Sequence, residues 1–211
     1  MISNRDVLGH AQEESVDTLG FSKDQVIYRQ GDPALFWFEV ISGMVRTSHL
    51  FLDGRRQLTG FFCPGEIFGA DQGHYNSSAE AVTAIAWTRR VRWGSTADDD
   101  HSLERALTSA ENSILLLGHR TAAARIAAFL LDLRTRTSSG RLVPLPMSRC
   151  DIADYLGLTV ETVSRTFTML TRRKLINQNE PPHHVRIDHL EGLYAIASGQ
   201  DQYTPQKQAL H

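Results

Sequence analysis

The apolar residues of this chain change their period once, near residue 97, and that change restricts the chain to a β unit followed by a helical unit. From about Asp24 to Trp93 the apolar runs are short and rich in β-branched and aromatic residues, as in "FWFEVI" and "MVRTSHLFL". Turn chemistry separates them ("QGDP", "SGM", "LDGRR", "CPGE"), and Asp53-Gly54 is a hairpin signal. Many short strands at near-regular spacing predict an antiparallel barrel or sandwich. After "STADDD" apolar residues recur at helical steps.

In the helical half, Leu103, Leu107, Ala110, Ile114, Leu117, Thr121 and Ala124 alternate by four and three, which is a coiled-coil seam. Such a stripe serves either a second copy of the chain or the adjacent sheet, and a dimer helix is the expectation. The acids at 98–100 suit its N-terminus. A second helix, "AARIAAFLLDLRTRT", is expected to stop at Gly140. A third enters through Ser148 as its cap and turns Ile152, Tyr155 and Leu156 inward. "GLT" then turns the chain into "VETVSRTFTML". There Val163, Thr166, Phe167 and Leu170 form the apolar side, and Val160, Glu161, Ser164, Arg165 and Thr168 the free one. "KLINQN" and "HHVRID" read as two short strands around a turn. The expected units are residues 1–97, 98–122 and 123–195, with a disordered tail over 196–211.

Composition excludes several classes. No stretch of the 211 residues reaches the 18 or more apolar residues of a membrane span. The polar, acid-bearing N-terminus is not a signal or transit peptide, so the cytoplasm is the expected location. Cys63 and Cys150 are the only cysteines, too few for a disulfide framework or a Cys-x-x-Cys metal cluster. The net charge of −2 is unevenly divided: residues 1–124 carry −5 and residues 125–190 carry +4. That asymmetry is expected when only the rear of a chain meets phosphate.

A short helix, a turn containing Gly157 and a second amphipathic helix make a helix-turn-helix, and the hairpin after it makes a wing. The second helix of this motif enters the DNA major groove. Val160, Glu161, Ser164 and Arg165 stand where base edges would be read. Arg grips guanine with two donors, Glu accepts from cytosine N4, and Val packs on a thymine methyl. A solvated Glu161–Arg165 pair is the plainer reading, compatible with the first. Ser148, Thr159, Thr162 and Arg172 are candidate phosphate contacts. Arg172, Arg173 and Lys174 also suit a helix C-terminus.

These elements together resemble the CRP/FNR superfamily over nearly all of residues 20–190. "GDPALFWFEVISGMVRTSHLFLDGRRQLTGFFCPGEIFG" resembles its cyclic-nucleotide-type β-roll, and "RCDIADYLGLTVETVSRTFTML" is similar to the FNR/FixK helix-turn-helix, with Glu161, Ser164 and Arg165 in the Glu-x-x-Ser-Arg pattern. The resemblance implies an α+β chain: an N-terminal antiparallel β-roll, a long dimerisation helix and a C-terminal winged helix-turn-helix. It also implies a homodimer on double-stranded DNA, at a TTGA…TCAA palindrome upstream of genes for low-oxygen respiration and nitrogen fixation, in contact with RNA polymerase. Val160 departs from the cAMP-responsive branch, which carries an arginine there, and this favours the FNR/FixK half-site.

Departures in the front half bear on cofactors. Nucleotide-binding relatives carry an Arg-Ser-Ala element; here "NSSAEAV" puts Ser77 in the arginine's place, so no cation clamps a cyclic phosphate, and Glu66 is expected to be structural. An oxygen-sensing iron–sulfur cluster needs four thiolates. His10, His49 and His74 stand alone, as surface or hydrogen-bonded histidines do, so haem is not expected. His183, His184 and His189 match no zinc spacing. Cys150, at a helix N-terminus beside Arg149, is either a redox-active thiolate or, more commonly for cysteine, a small buried residue; Cys63 reads as core. No cofactor, no metal and no enzymatic site are expected. The alternative is a regulator of the same fold gated by an unidentified small molecule in the roll.

Overall fold

The computed structural model describes residues 16–94, 99–179 and 181–199. Its first half is two four-stranded antiparallel sheets. One orders β1 (Val16–Ser22), β8 (Ile85–Arg92), β3 (Phe36–Ser42) and β6 (Ile67–Phe68); the other orders β2 (Val26–Tyr28), β7 (Ser78–Ala81), β4 (Val45–Leu50) and β5 (Arg56–Phe62). Alternation aims Phe38, Val40, Phe68 and Ala86 from one sheet and Tyr28, Val45, Ala79 and Ala81 from the other into a shared core. Tyr28 stacks on Tyr75 at 3.8 Å between ring centroids. Gly43 reverses the chain between β3 and β4 at φ +82°, where a Cβ would lie 2.6 Å from the Ile85 carbonyl oxygen. Asp53-Gly54 is the expected turn between β4 and β5. Strand β1 precedes the expected start of the β unit, and pairs with β8 from Val16↔Val91 to Ser22↔Ile85.

Helix α1 spans Asp99–Gly118 and α2 spans Ala122–Arg136. The expected seam therefore ends at Leu117. Thr121 is the N-cap of α2, its hydroxyl accepting from the Ala124 amide at 3.1 Å, and Ala124 is 2% exposed within the core. The four-three spacing ran on across a helix break, which periodicity alone does not register. In the remaining seam Leu103, Leu107, Ile114 and Leu117 are 36–68% exposed and Ala110 is exposed beside the roll, while Leu116 is buried. Helix α2 stops at Arg136, capped by Thr137, with Ser138 at φ +47°. Gly140 lies beyond the stop and accepts from Arg134 Nε through its carbonyl.

The rear half holds α3 (Arg149–Leu156), α4 (Val160–Arg172) and a three-stranded sheet of β10 (Ile176–Asn177), β11 (His184–Ile187) and β9 (Leu142–Pro144). Register Ile176↔Ile187 makes the expected hairpin; β9 extends it. A last helix, α5 (Leu190–Ala197), buries Leu193 and Ile196. The tail expected from residue 196 starts too early, since 196–197 belong to α5, and residues 200–211 lie outside the described residues. No helix among the described residues is long and apolar enough to cross a membrane.

The two halves share one apolar core. Met44, Leu58, Phe61, Cys63 and Val82 of the β unit join Phe129, Leu133, Ile152, Leu156, Phe167 and Leu170. Tyr155 meets Phe61 edge-on at 5.1 Å and Phe129 at 5.9 Å. Cys63 is fully buried there, and burial pushes its thiol up to about 12, so it stays protonated near neutral pH. Cys150 is exposed, against the reading of it as a small buried residue. Its helix turns Ile152, Ala153 and Leu156 inward and leaves Cys150 on the free side. A thiol reagent is expected to modify one cysteine of the native protein and the second only in denaturant. Two equally fast native reactions would contradict this packing.

Candidate nucleic-acid interface

The site is built from helix ends. The Ser148 hydroxyl accepts from the Asp151 amide at 3.0 Å, and the Asp151 carboxylate accepts from the Ser148 amide, a reciprocal capping box that starts α3. Gly157 ends α3 at φ +62°, a left-handed cap that a side chain would strain. Two residues later the Thr159 hydroxyl accepts from the Thr162 amide at 3.2 Å and starts α4. Arg125 of α2 donates to the Leu156 carbonyl at 3.1 Å and holds the end of α3.

This arrangement buries Val163, Thr166, Phe167 and Leu170 of α4, the side expected to be apolar. Val160 is 40% exposed, and Glu161, Ser164, Arg165 and Thr168 are exposed beside it. Among the described residues Glu161 and Arg165 form no ion pair with each other or with another group, so both remain available to a ligand. Ser148, Thr159 and Arg172 are exposed at the two ends of the motif and Thr162 is half-buried. The Ser148, Thr159 and Thr162 hydroxyls already serve the caps. Lys174 follows at φ +55°.

Arg149 belongs to the same surface and was not among the expected contacts. Its guanidinium lies 3.4 Å from the Phe167 ring centroid and donates to Gln178 Oε1 at 2.6 Å, while Gln178 Nε2 donates to Thr171 Oγ1 at 2.9 Å. The chain of contacts ties α3, α4 and the wing strand together. Burial lowers the Arg149 pKa to about 10, which leaves it charged at neutral pH without a carboxylate partner among the described residues. Its position one residue after the Ser148 cap was the signal available in the sequence.

The histidines of the wing hold structure. His189 Nδ1 accepts from the Gly192 amide at 3.0 Å as the N-cap of α5, and His184 Nδ1 lies 3.0 Å from the Pro182 carbonyl. Among the described residues no cluster of three His, Cys, Asp or Glu side chains has the geometry of a metal site.

A cavity of about 220 Å³ opens in the roll, lined by Tyr28, Thr47, Thr59, Phe62, Asp71 and Ser77 and bordered by Ala110 of α1. Among the described residues that line it, Asp71 is the carboxylate and none is Lys, Arg or His. A cyclic phosphate entering here would meet that carboxylate, and Ser77 offers no compensating cation. Glu66 is tied within the protein: its carboxylate accepts from the Cys63 amide at 2.8 Å and from Arg136 at 2.7 and 2.6 Å. The residues do not fit an anionic nucleotide.

Residues 124–196 match the Crp-like helix-turn-helix domain, and residues 18–89 match the cyclic nucleotide-binding domain. The chain is 46% identical over 154 residues to the nitrogen fixation regulation protein FixK of Rhizobium meliloti, covering 71% of this chain and 73% of that protein. It is 36% identical over 195 residues to the transcriptional activator protein anr of Pseudomonas aeruginosa, covering 84% and 79%. The solved structure of FixK2 from Bradyrhizobium japonicum superposes with a TM-score of 0.76 at 32% identity, covering 86% of this chain and 96% of that one. The chain belongs to the CRP/FNR family: it is a DNA-binding transcription regulator, not an enzyme.

Proposed function

We propose that the protein works as a homodimer on a TTGA…TCAA palindrome and activates genes for low-oxygen respiration and nitrogen fixation, through contact with RNA polymerase. The observation that carries this reading is the free face of α4, where Val160, Glu161, Ser164 and Arg165 stand exposed and uncommitted on a helix capped at its start and packed along its other side. Arg165 takes guanine, Glu161 cytosine N4 and Val160 a thymine methyl, with Ser164 between them. Ser148, Thr159, Thr162 and Arg172 approach phosphates, and Arg149 joins them as a cation without a carboxylate partner among the described residues. Nitrogen-fixation targets follow from the name of the FixK relative, low-oxygen respiration from the family resemblance, and activation from the name of the Pseudomonas relative.

Dimerisation runs along α1. Leu103, Leu107, Ala110, Ile114 and Leu117 form an exposed stripe on one helix, which a second copy of the same helix covers. The roll needs no effector in this reading: its cavity rejects the family's anionic nucleotide, and regulation falls to the abundance of the protein. Cys150, exposed near the N-terminus of α3, is positioned for oxidation to interfere with DNA.

Two experiments test these assignments. At one fixed salt concentration, the reduced protein with nothing added is expected to prefer the palindrome over a scrambled duplex by roughly a thousandfold. Arg165→Ala should lose about 1–3 kcal/mol on the palindrome and little on the scrambled duplex. Equal losses on both would reduce Arg165 to a phosphate contact. Separately, Ile114→Glu should convert the dimer to a monomer in sedimentation equilibrium and abolish tight palindrome binding. A dimer that persists unchanged would place the interface elsewhere.

A further inference from the structure

The DNA-binding half is seated on the roll by charge as well as by apolar packing. Two arginines of the β4–β5 hairpin converge on one carboxylate of α3. Arg46 Nη1 and Arg56 Nη2 each lie 3.1 Å from an Asp151 oxygen. Arg56 Nη2 also pairs with Asp154 at 3.1 Å, and Gln57 donates to the Asp154 carbonyl. Arg46 is fixed from its own side by Glu80 at 2.7 Å and Asp24 at 3.0 Å. The Asp151 and Arg46 side chains are 6% and 11% exposed, so this is not a solvated surface pair. A second tie lies on α2, where Arg136 pairs with Glu66 of the roll and with Asp132 and donates to the Phe61 carbonyl.

We infer that Asp151 is a positioning residue for DNA recognition: clamped by Arg46 and Arg56, it holds the helix-turn-helix at a fixed orientation on the roll without a ligand. The inference rests on the DNA-reading assignment above and adds where its geometry comes from. Two ties on successive helices, α2 and α3, remove the rotation that one tie would leave. The same carboxylate starts α3 through the capping box, so the helix end and the seat are one object. A palindrome demands this rigidity, because both reading helices must reach successive major grooves together, about one turn apart. A loosened head still finds one half-site but loses the advantage of the second, which depends on simultaneous engagement.

The test replaces the clamp from the roll side, away from any DNA contact. Arg46→Gln with Arg56→Gln is expected to weaken palindrome binding by roughly tenfold or more, leaving affinity for a duplex with a single half-site within about twofold. Arg56→Lys, which keeps the charge, should retain most of the palindrome affinity. Unchanged palindrome binding in the double variant, or an equal loss on the single half-site, would overturn the proposal. Amide hydrogen exchange gives a readout that needs no DNA. In the folded double variant, protection should fall at Cys150–Asp154 and persist in the middle of α4. Unaltered protection at α3 would overturn the clamp even if the DNA-reading assignment were wrong, and a wild type with no palindrome preference would overturn that assignment alone.

Discussion

The carboxylate of Asp151 is the point on which the arrangement of this regulator turns. It closes the first turn of α3 by accepting from the Ser148 amide and hydroxyl, and it receives Arg46 and Arg56 from the roll. A carboxylate so nearly removed from water is costly unless its oxygens are occupied, and here each oxygen has a cationic partner. For Arg46, burial alone would lower the pKa; the hydrogen bond to Glu80 and the charges of Asp151, Glu80 and Asp24 outweigh it and raise it. Arg46 is therefore held in its charged form. From α3 the geometry passes through Gly157 and Thr159 to α4, so the direction of the exposed face of α4 follows from a contact made by the β unit.

The roll has kept the shape of a nucleotide-binding domain while its polar groups serve other purposes. Glu66 binds the Cys63 amide and the Arg136 guanidinium, and so joins the roll to the end of α2. Ser77 and Asp71 leave the cavity without a cation for phosphate. Fold and ligand chemistry are separable here: the matched domain family describes the sheets, and the side chains decide what they hold. Ionic ties and a shared apolar core join the roll to the DNA-binding half.

Much of this was legible in the sequence, and the exceptions have physical causes. Helix α4 was readable because its period and the Gly157 turn agree on one helix, and the buried side is the one they specify; its Thr159 cap came from the structure. The seam misled at Thr121 and Ala124 because a three-residue break near a helical period leaves the spacing undisturbed. Strand β9 is three residues ending in a proline, and it exists because β11 supplies its partner. Strand β1 carries a glycine and weak alternation, and β8 completes it. The Arg46–Asp151 pair joins residues 105 positions apart, and no local pattern in either segment announces the other. Cys150 shows the same limit: only the direction in which α3 presents its apolar side decides its exposure.

Reading heads held fixed by the protein itself would show in a half-site spacing series. Effector-free protein would be titrated, at constant salt, against palindromes whose half-sites are moved apart or together one base pair at a time. Each base pair rotates one half-site by about a tenth of a turn relative to the other. Fixed heads predict one sharp affinity maximum, with a steep loss on either side. A flat profile across several spacings in the free protein would contradict the account.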